Sequence, residues 1–332
     1  MVRKRIATIM LLVSLLLPLG VQAQPQQYYR TQLSEMAAQF YDALRDQLEQ
    51  MRLQPGEIEL TDYFADNGSL ADTEYLIQEL TAACRALEYD DPTLFWLDFS
   101  QLRMHTSRIV QGETVLRYRV WIAPGEQGTY FAPGFDAQQV EQKVAQTKEA
   151  AQRIADEAAQ QPQPYDKIRT AHDLLVRQTH YDQGQGSGAH SAYAALVERS
   201  AVCDGYAGAF QLILDCLGIP CISISGEVNA DGERQPHMWN AVQLEGSWYG
   251  VDVTWDDPVV PDGEWDVLRH TYFLLGEEAM ARSHTPVRVF WEGDDTFTLP
   301  ALQPQNYGAG QLWTLWAALW DWIASLLTWI GA

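Results

Sequence analysis

Cys203 stands in the run Val202-Cys203-Asp204-Gly205-Tyr206-Ala207, and that run opens a helix. Its apolar positions, Tyr206, Ala207, Phe210, Ile213, Leu214 and Leu217, recur at helical spacing, and Gly218 follows where a left-handed residue ends a helix. A cysteine in the first turn meets unpaired amides and the positive end of the helix dipole, which favour a thiolate over a thiol. The thiolate is the attacking form in nucleophilic catalysis. A small buried residue is the competing role for a lone cysteine, so the catalytic reading depends on finding a base.

The candidate base is His237, with Asp252 behind it. Residues 237–244 and 247–254 read as two strands, and only Glu245 and Gly246 separate them, the length of a tight hairpin turn. Leu244 then faces Ser247, and Trp239 faces Asp252. His237 and Asp252 fall on one face at diagonal positions, within reach of an imidazole–carboxylate hydrogen bond. A three-residue loop would reverse the parity and separate them. With the shorter loop, the chain offers a nucleophile at a helix start, a base on a strand and an orienting carboxylate on the next strand. Asp252 would fix the imidazole tautomer, and His237 would take the Cys203 proton. The backbone amide of Cys203 would donate to the oxyanion of a tetrahedral intermediate. No second oxyanion donor is marked in the sequence.

This block resembles the transglutaminase-like superfamily, whose core is a papain-like Cys-His-Asp fold. The matching stretches are residues 201–207 around Cys203, Leu217-Gly218-Ile219-Pro220, residues 237–242 from His237, and residues 248–258 around Asp252. His180-Tyr181-Asp182 resembles the family's segment before the nucleophile helix, and Met238 stands where the family often has Ala. The resemblance covers residues 165–282, little more than a third of the chain. It implies that Cys203, His237 and Asp252 are nucleophile, base and orienter. It implies an α+β fold in which the nucleophile helix packs on an antiparallel sheet. The family includes amide cross-linkers, peptidases, deglycosylating amidases and inactive relatives. Hydrolysis of a peptide or side-chain amide through a thioester is therefore the first expectation, with a protein or peptide substrate. Protein cross-linking is the second, and a non-catalytic surface-binding module that keeps the fold is the third.

Other candidates read as structural. Asp256 and Asp257 compete with Asp252 as orienter, but before Pro258 they read as a turn whose acids cap or face solvent. Asp256, Asp257, Asp262, Glu264 and Asp266 lack the Gly-centred spacing of a calcium loop and read as a solvated segment. His172 lies on an apolar helix face and reads as a satisfied core histidine. Gly184-Gln185-Gly186-Ser187-Gly188 lacks the Lys of a phosphate loop and reads as a connection. Seven scattered histidines and four cysteines without C-x-x-C spacing point to no metal, and no cofactor is expected. Cys84, Cys203, Cys216 and Cys221 are too few for a disulfide scaffold.

The remaining elements must carry this block. Leu33, Met36, Ala37, Phe40, Tyr41, Leu44 and Leu48 form one helical stripe; Leu76, Ile77, Leu80, Ala83, Cys84 and Leu87 form another. Strands are predicted at 94–99, 106–111 and 114–122, with a turn at Gln111-Gly112-Glu113. Residues 136–161 read as a solvent-facing helix that ends at Pro162-Gln163-Pro164, and a further helix spans 165–179. The predicted organisation is a signal peptide at 1–23, an N-terminal α+β region at 24–135, a helix and linker at 136–164, a transglutaminase-like domain at 165–300 and a Trp-rich tail at 301–332.

The whole chain sets the surroundings. Its 332 residues are 47% hydrophobic, with 22 basic and 44 acidic residues and a net charge of −22. So acidic a surface repels nucleic-acid phosphates and excludes DNA or RNA as a partner. Arg3, Lys4 and Arg5 precede an apolar run that closes on Val21-Gln22-Ala23, the order of a secretory signal peptide. An exported, extracellular or cell-surface, bacterial-type protein is expected. In the tail, Asp321 is the sole charge after Gln311, among Trp313, Trp316, Trp320, Trp322 and Trp329. A membrane surface, a partner or the chain itself are the surfaces this tail would meet.

Overall fold

Ser34 and Asp72 start the first two helices. The Ser34 hydroxyl accepts from the Ala37 amide at 3.0 Å and opens α1 (Glu35–Leu53). Asp72 accepts from the Tyr75 amide at 3.1 Å and opens α2 (Thr73–Asp90). These contacts come from a computed structural model that describes residues 27–308, apart from 65–66, 185, 187, 231, 259–266, 288–289 and 293–294. The expected signal peptide, the tail from Gln311 and the acids Asp262, Glu264 and Asp266 lie outside the described residues.

The two helices bury most of their predicted stripes, with Leu33 and Leu48 partly buried and Ile77 exposed, and Cys84 is a core residue as expected. A three-stranded sheet follows: β1 (Ile58–Glu59), β2 (Leu102–Gln111) and β3 (Thr114–Pro124), in the order β1-β3-β2. Gly112 takes φ 62° in the turn between β2 and β3. Val120 and Ile122 are buried, whereas Ile109, Val110 and Leu116 at the far end of this hairpin are exposed.

Residues 94–99 do not form the predicted strand. Two 3₁₀ turns bracket this stretch, at Pro92–Leu94 and Phe99–Gln101, and Leu97 between them makes a single bridge to Phe131. Asp91 accepts from the Thr93 amide and Asp98 from the Ser100 amide, so local side-chain hydrogen bonds outcompete the strand.

The helix predicted as solvent-facing is α3 (Ala137–Ala158), and it buries a full stripe through Val140, Thr147, Ala151, Ile154, Ala155 and Ala158. Small alanines on that stripe let α3 lie against its neighbours, so it packs into the second core rather than acting as a spacer. Next come α4 (Pro164–Gln178), then β4 (His180–Tyr181) and β5 (Ser200–Ala201), which pair in parallel. After them α5 (Cys203–Leu217) ends at Gly218 with φ 67°.

The second sheet holds β6 (Cys221–Ala230), β7 (Glu233–Leu244), β8 (Ser247–Val251) and β9 (His284–Pro286) in the order β8-β7-β6-β9. All its pairings are antiparallel. Cys221, Val242, Leu244 and Val251 join α3, α4 and α5 in one core, while Ile222, Ile224, Trp239 and Ala241 join α1 and α2 in the other. The sheet is thus shared between an N-terminal α+β region and the helices α3, α4 and α5. Among the described residues no helix is long and apolar enough to cross a membrane.

Candidate active site

Cys203 is the first residue of α5 and half-buried, and Val202 supplies no side-chain cap to the helix start. Gly205 lets that start sit tightly. A Cβ there would meet Ala201 Cβ at 2.8 Å and the carbonyls of Ala189 and Ser191 at 2.9 Å. The loop that brings these carbonyls into place also returns a hydrogen bond from the Val202 amide to the Ala189 carbonyl at 3.0 Å.

The hairpin has the two-residue turn expected. Glu245 and Gly246 take φ 53° and 79°, and Leu244 pairs with Ser247 and Asn240 with Val251. β8 stops at Val251, so Asp252 begins a turn instead of continuing the strand to 254. The cause is local: the Asp256 amide donates to the Asp252 carbonyl at 3.2 Å, and the Trp255 amide donates to Asp252 Oδ1 at 3.1 Å. The parity still holds. His237 Nε2 donates to Asp252 Oδ2 at 2.7 Å, with the histidine buried and the carboxylate fully enclosed. Cys203 lies near enough to the imidazole that its thiol also favours the charged ring.

The electrostatics follow from that enclosure. Burial alone lowers the His237 pKa, but the charge and hydrogen bond of Asp252, with Cys203, outweigh it and raise it to about 10. Burial alone would raise Asp252, yet His237 and a second histidine hold it down at about 2. That second histidine, His284, places Nε2 3.0 Å from the same Asp252 Oδ2. Nothing in the sequence pattern marks it, because it lies 32 residues from Asp252.

Asp256 and Asp257 do not orient His237. Asp256 is fully buried rather than solvated: Oδ1 accepts from the Tyr272 amide at 2.9 Å, and Oδ2 lies 3.2 Å from His172 Nε2. Asp257 accepts from the Tyr206 hydroxyl at 2.5 Å. His172 is buried in the core as expected but only half satisfied: Nδ1 lies 3.0 Å from Asp173, which His270 also reaches at 2.6 Å, while Nε2 makes no hydrogen bond. Burial pulls the His172 pKa down, but Asp173 and Asp256 overcome it, so the net shift is upward. This cluster ties α4 to the turn that carries Asp252 and Trp255.

Among the described residues, two sets hold metal-ligating atoms within 4.8 Å of one another, His172 with Asp173 and His270, and His237 with Asp252 and His284. In both, one carboxylate oxygen already accepts from two histidines, which accounts for the geometry without a cation. All four cysteines are free thiols. Asp204 and Met238, the chain neighbours of Cys203 and His237, line a cavity of about 420 Å³. Its lining also includes Tyr89, Phe95 and Phe99 from the N-terminal region.

Residues 137–253 match the transglutaminase-like superfamily model. The mouse and human kyphoscoliosis peptidases are each 31% identical over 101 residues, 27% of this chain. The match spans 15% of the length of those two relatives. Among solved structures, a TGase superposes at a TM-score of 0.30 with 14% identity, over 50% of this chain and 49% of its own. The periplasmic domain of TgpA from Pseudomonas aeruginosa superposes at 0.25 with 21% identity, over 46% of this chain and 62% of its own. The chain therefore carries a transglutaminase-like core in a mixed helix-and-sheet fold.

Proposed function

We propose that this transglutaminase-like core hydrolyses peptide or side-chain amides through a Cys203 thioester. The carrying observation is the enclosed His237–Asp252 pair at 2.7 Å, with the Cys203 thiol near enough to favour the charged imidazole. In the reading, Cys203 Sγ attacks the carbonyl carbon, and the amide of Cys203 steadies the developing oxyanion. The C–N bond breaks as His237, held in its charged form by Asp252, passes a proton to the departing amine. Water then attacks the thioester, its proton goes to His237, and the acid leaves. The similarity to two peptidases over 101 residues supports water as the acceptor. The cavity beside Asp204 and Met238 supports a substrate that reaches the N-terminal region. Export remains part of the proposal on the strength of residues 1–23 alone.

The test is labelling with an alkylating agent, followed by mass mapping. Cys203 should react at least tenfold faster than the other three cysteines. Burial pushes the Cys84 thiol up to about 12 and Cys216 to about 11, and raises Cys221 well above its ordinary range. Equal labelling of all four overturns the catalytic reading. With an activated glutamine ester or peptide ester, free acid should form with or without an added primary amine. Product that forms only with the amine replaces hydrolysis by cross-linking.

A further inference from the structure

His284 stands on β9, outside the 137–253 segment that matches the family. Its side chain is 1% exposed and enclosed by the rings of Trp239, Trp255 and Tyr272, at centroid separations of 4.9, 5.0 and 5.4 Å. Gly226 makes room for this cage, since a Cβ there would strike the Trp239 ring at 2.3 Å. Inside it the imidazole has two polar neighbours, Asp252 Oδ2 at 3.0 Å from Nε2 and Ser283 Oγ at 2.8 Å from Nδ1. The Asp252 oxygen is the one that His237 also uses, and the other oxygen is taken by the Trp255 amide.

A buried carboxylate with a free lone pair would turn toward whatever donor it found. We propose that His284 is a positioning residue: its Nε2–H pins the Asp252 carboxylate so that Oδ2 stays aligned with His237. The inference rests on Cys203, His237 and Asp252 forming the catalytic set. His284 touches no reacting atom. Its influence runs through Asp252 to His237 and from there to the thiol. A third donor on Asp252 also favours the carboxylate form, and hence the charged form of His237 beside it. The titratable groups that face His284 are His237 from β7, Asp252 from the turn after β8 and Tyr272 from the segment before β9.

The test uses the full chain and needs no knowledge of the substrate. Iodoacetamide alkylation of Cys203 is followed against pH in wild type, His284→Phe and His284→Gln. Phenylalanine keeps the ring and loses both nitrogens; glutamine keeps an N–H donor. His284→Phe should lower the neutral-pH rate at least tenfold and move the alkaline limb of the profile down by about one pH unit, the same factor of ten. His284→Gln should recover to within about threefold of wild type. A His284→Phe profile that superimposes on wild type overturns the proposal, and so does an equal loss in both variants. A second measurement needs no variant. In ¹⁵N-histidine-labelled wild type, His284 Nε2 should carry its proton from pH 5 to 9, and an unprotonated Nε2 overturns the assignment. If wild-type Cys203 reacts no faster than Cys84, the catalytic reading has failed. A fast Cys203 that is indifferent to His284→Phe fails the positioning proposal alone.

Discussion

The charge on His237 is held against burial, and that makes the pair at the centre of the site a pH-dependent part of the fold. Its pKa rises from 6.5 to about 10, so the folded chain binds this proton more tightly than the unfolded chain does. The stabilisation is whole below pH 6.5 and is lost as pH rises through about 10. For Asp252 the sign is opposite: the shift from 3.8 to about 2 stabilises the fold above pH 3.8 and is lost as pH falls through about 2. The urea midpoint should therefore be highest between about pH 4 and 6.5 and fall toward pH 10. Asp252→Asn should flatten the alkaline fall. Parallel falls in wild type and variant would place the pH dependence elsewhere.

The helix that opens with Cys203 is positioned by what lies against its first turn. Gly205 is the narrowest point, with two carbonyls and a methyl group within 3 Å of where a Cβ would sit. Two of these atoms belong to the backbone, so an added methyl must move α5 or the 189–191 loop. Gly205→Ala should cost about 1–3 kcal/mol, as overpacking does, and should slow Cys203 alkylation more than it lowers the melting temperature would explain. An alanine variant with wild-type stability and reactivity would show that the close approach is not needed. The turn at Glu245 and Gly246 acts at the same scale. It sets the parity that puts His237 and Asp252 on one face.

The N-terminal region and the transglutaminase-like core share one sheet. Ile222, Ile224, Trp239 and Ala241 pack with Leu44, Leu76 and Leu87 from α1 and α2. The Tyr29 hydroxyl donates to the Ser223 carbonyl at 2.5 Å, Tyr89 and Ser225 share a hydrogen bond at 2.6 Å, and Gln211 Nε2 donates to the Tyr89 carbonyl at 2.9 Å. Exposing the three large apolar side chains alone costs about 5–9 kcal/mol at roughly 1.5–3 kcal/mol each. That is of the same order as the entire stability of a domain, about 5–15 kcal/mol. The full chain should unfold in a single transition, and a chain that starts at residue 136 should lack native near-ultraviolet circular dichroism. A truncated chain with native spectra and a fast Cys203 would make the two regions independent.

What the sequence by itself determined is local in origin. The helical spacing after Cys203, the Gly218 stop and the two-residue gap at 245–246 each depend on neighbours within a few positions, and together they make Cys203, His237 and Asp252 the candidate set, of which the structure pairs His237 with Asp252. The failures at 94–99 and along α3 have equally definite causes. Asp91 and Asp98 turn an apolar run into 3₁₀ turns, and the alanines of α3 look indifferent to water until a partner helix lies against them. Only the tertiary structure decided that Asp256 is buried against His172, that residues 85–99 wall the cavity beside Asp204 and Met238, and that His284 shares Asp252 with His237. These contacts join residues far apart in the chain, such as the 97 positions between Asp173 and His270. A hydrogen bond between distant side chains leaves no period in the sequence, because it needs a matched distance and a shared enclosure that the folded chain alone supplies.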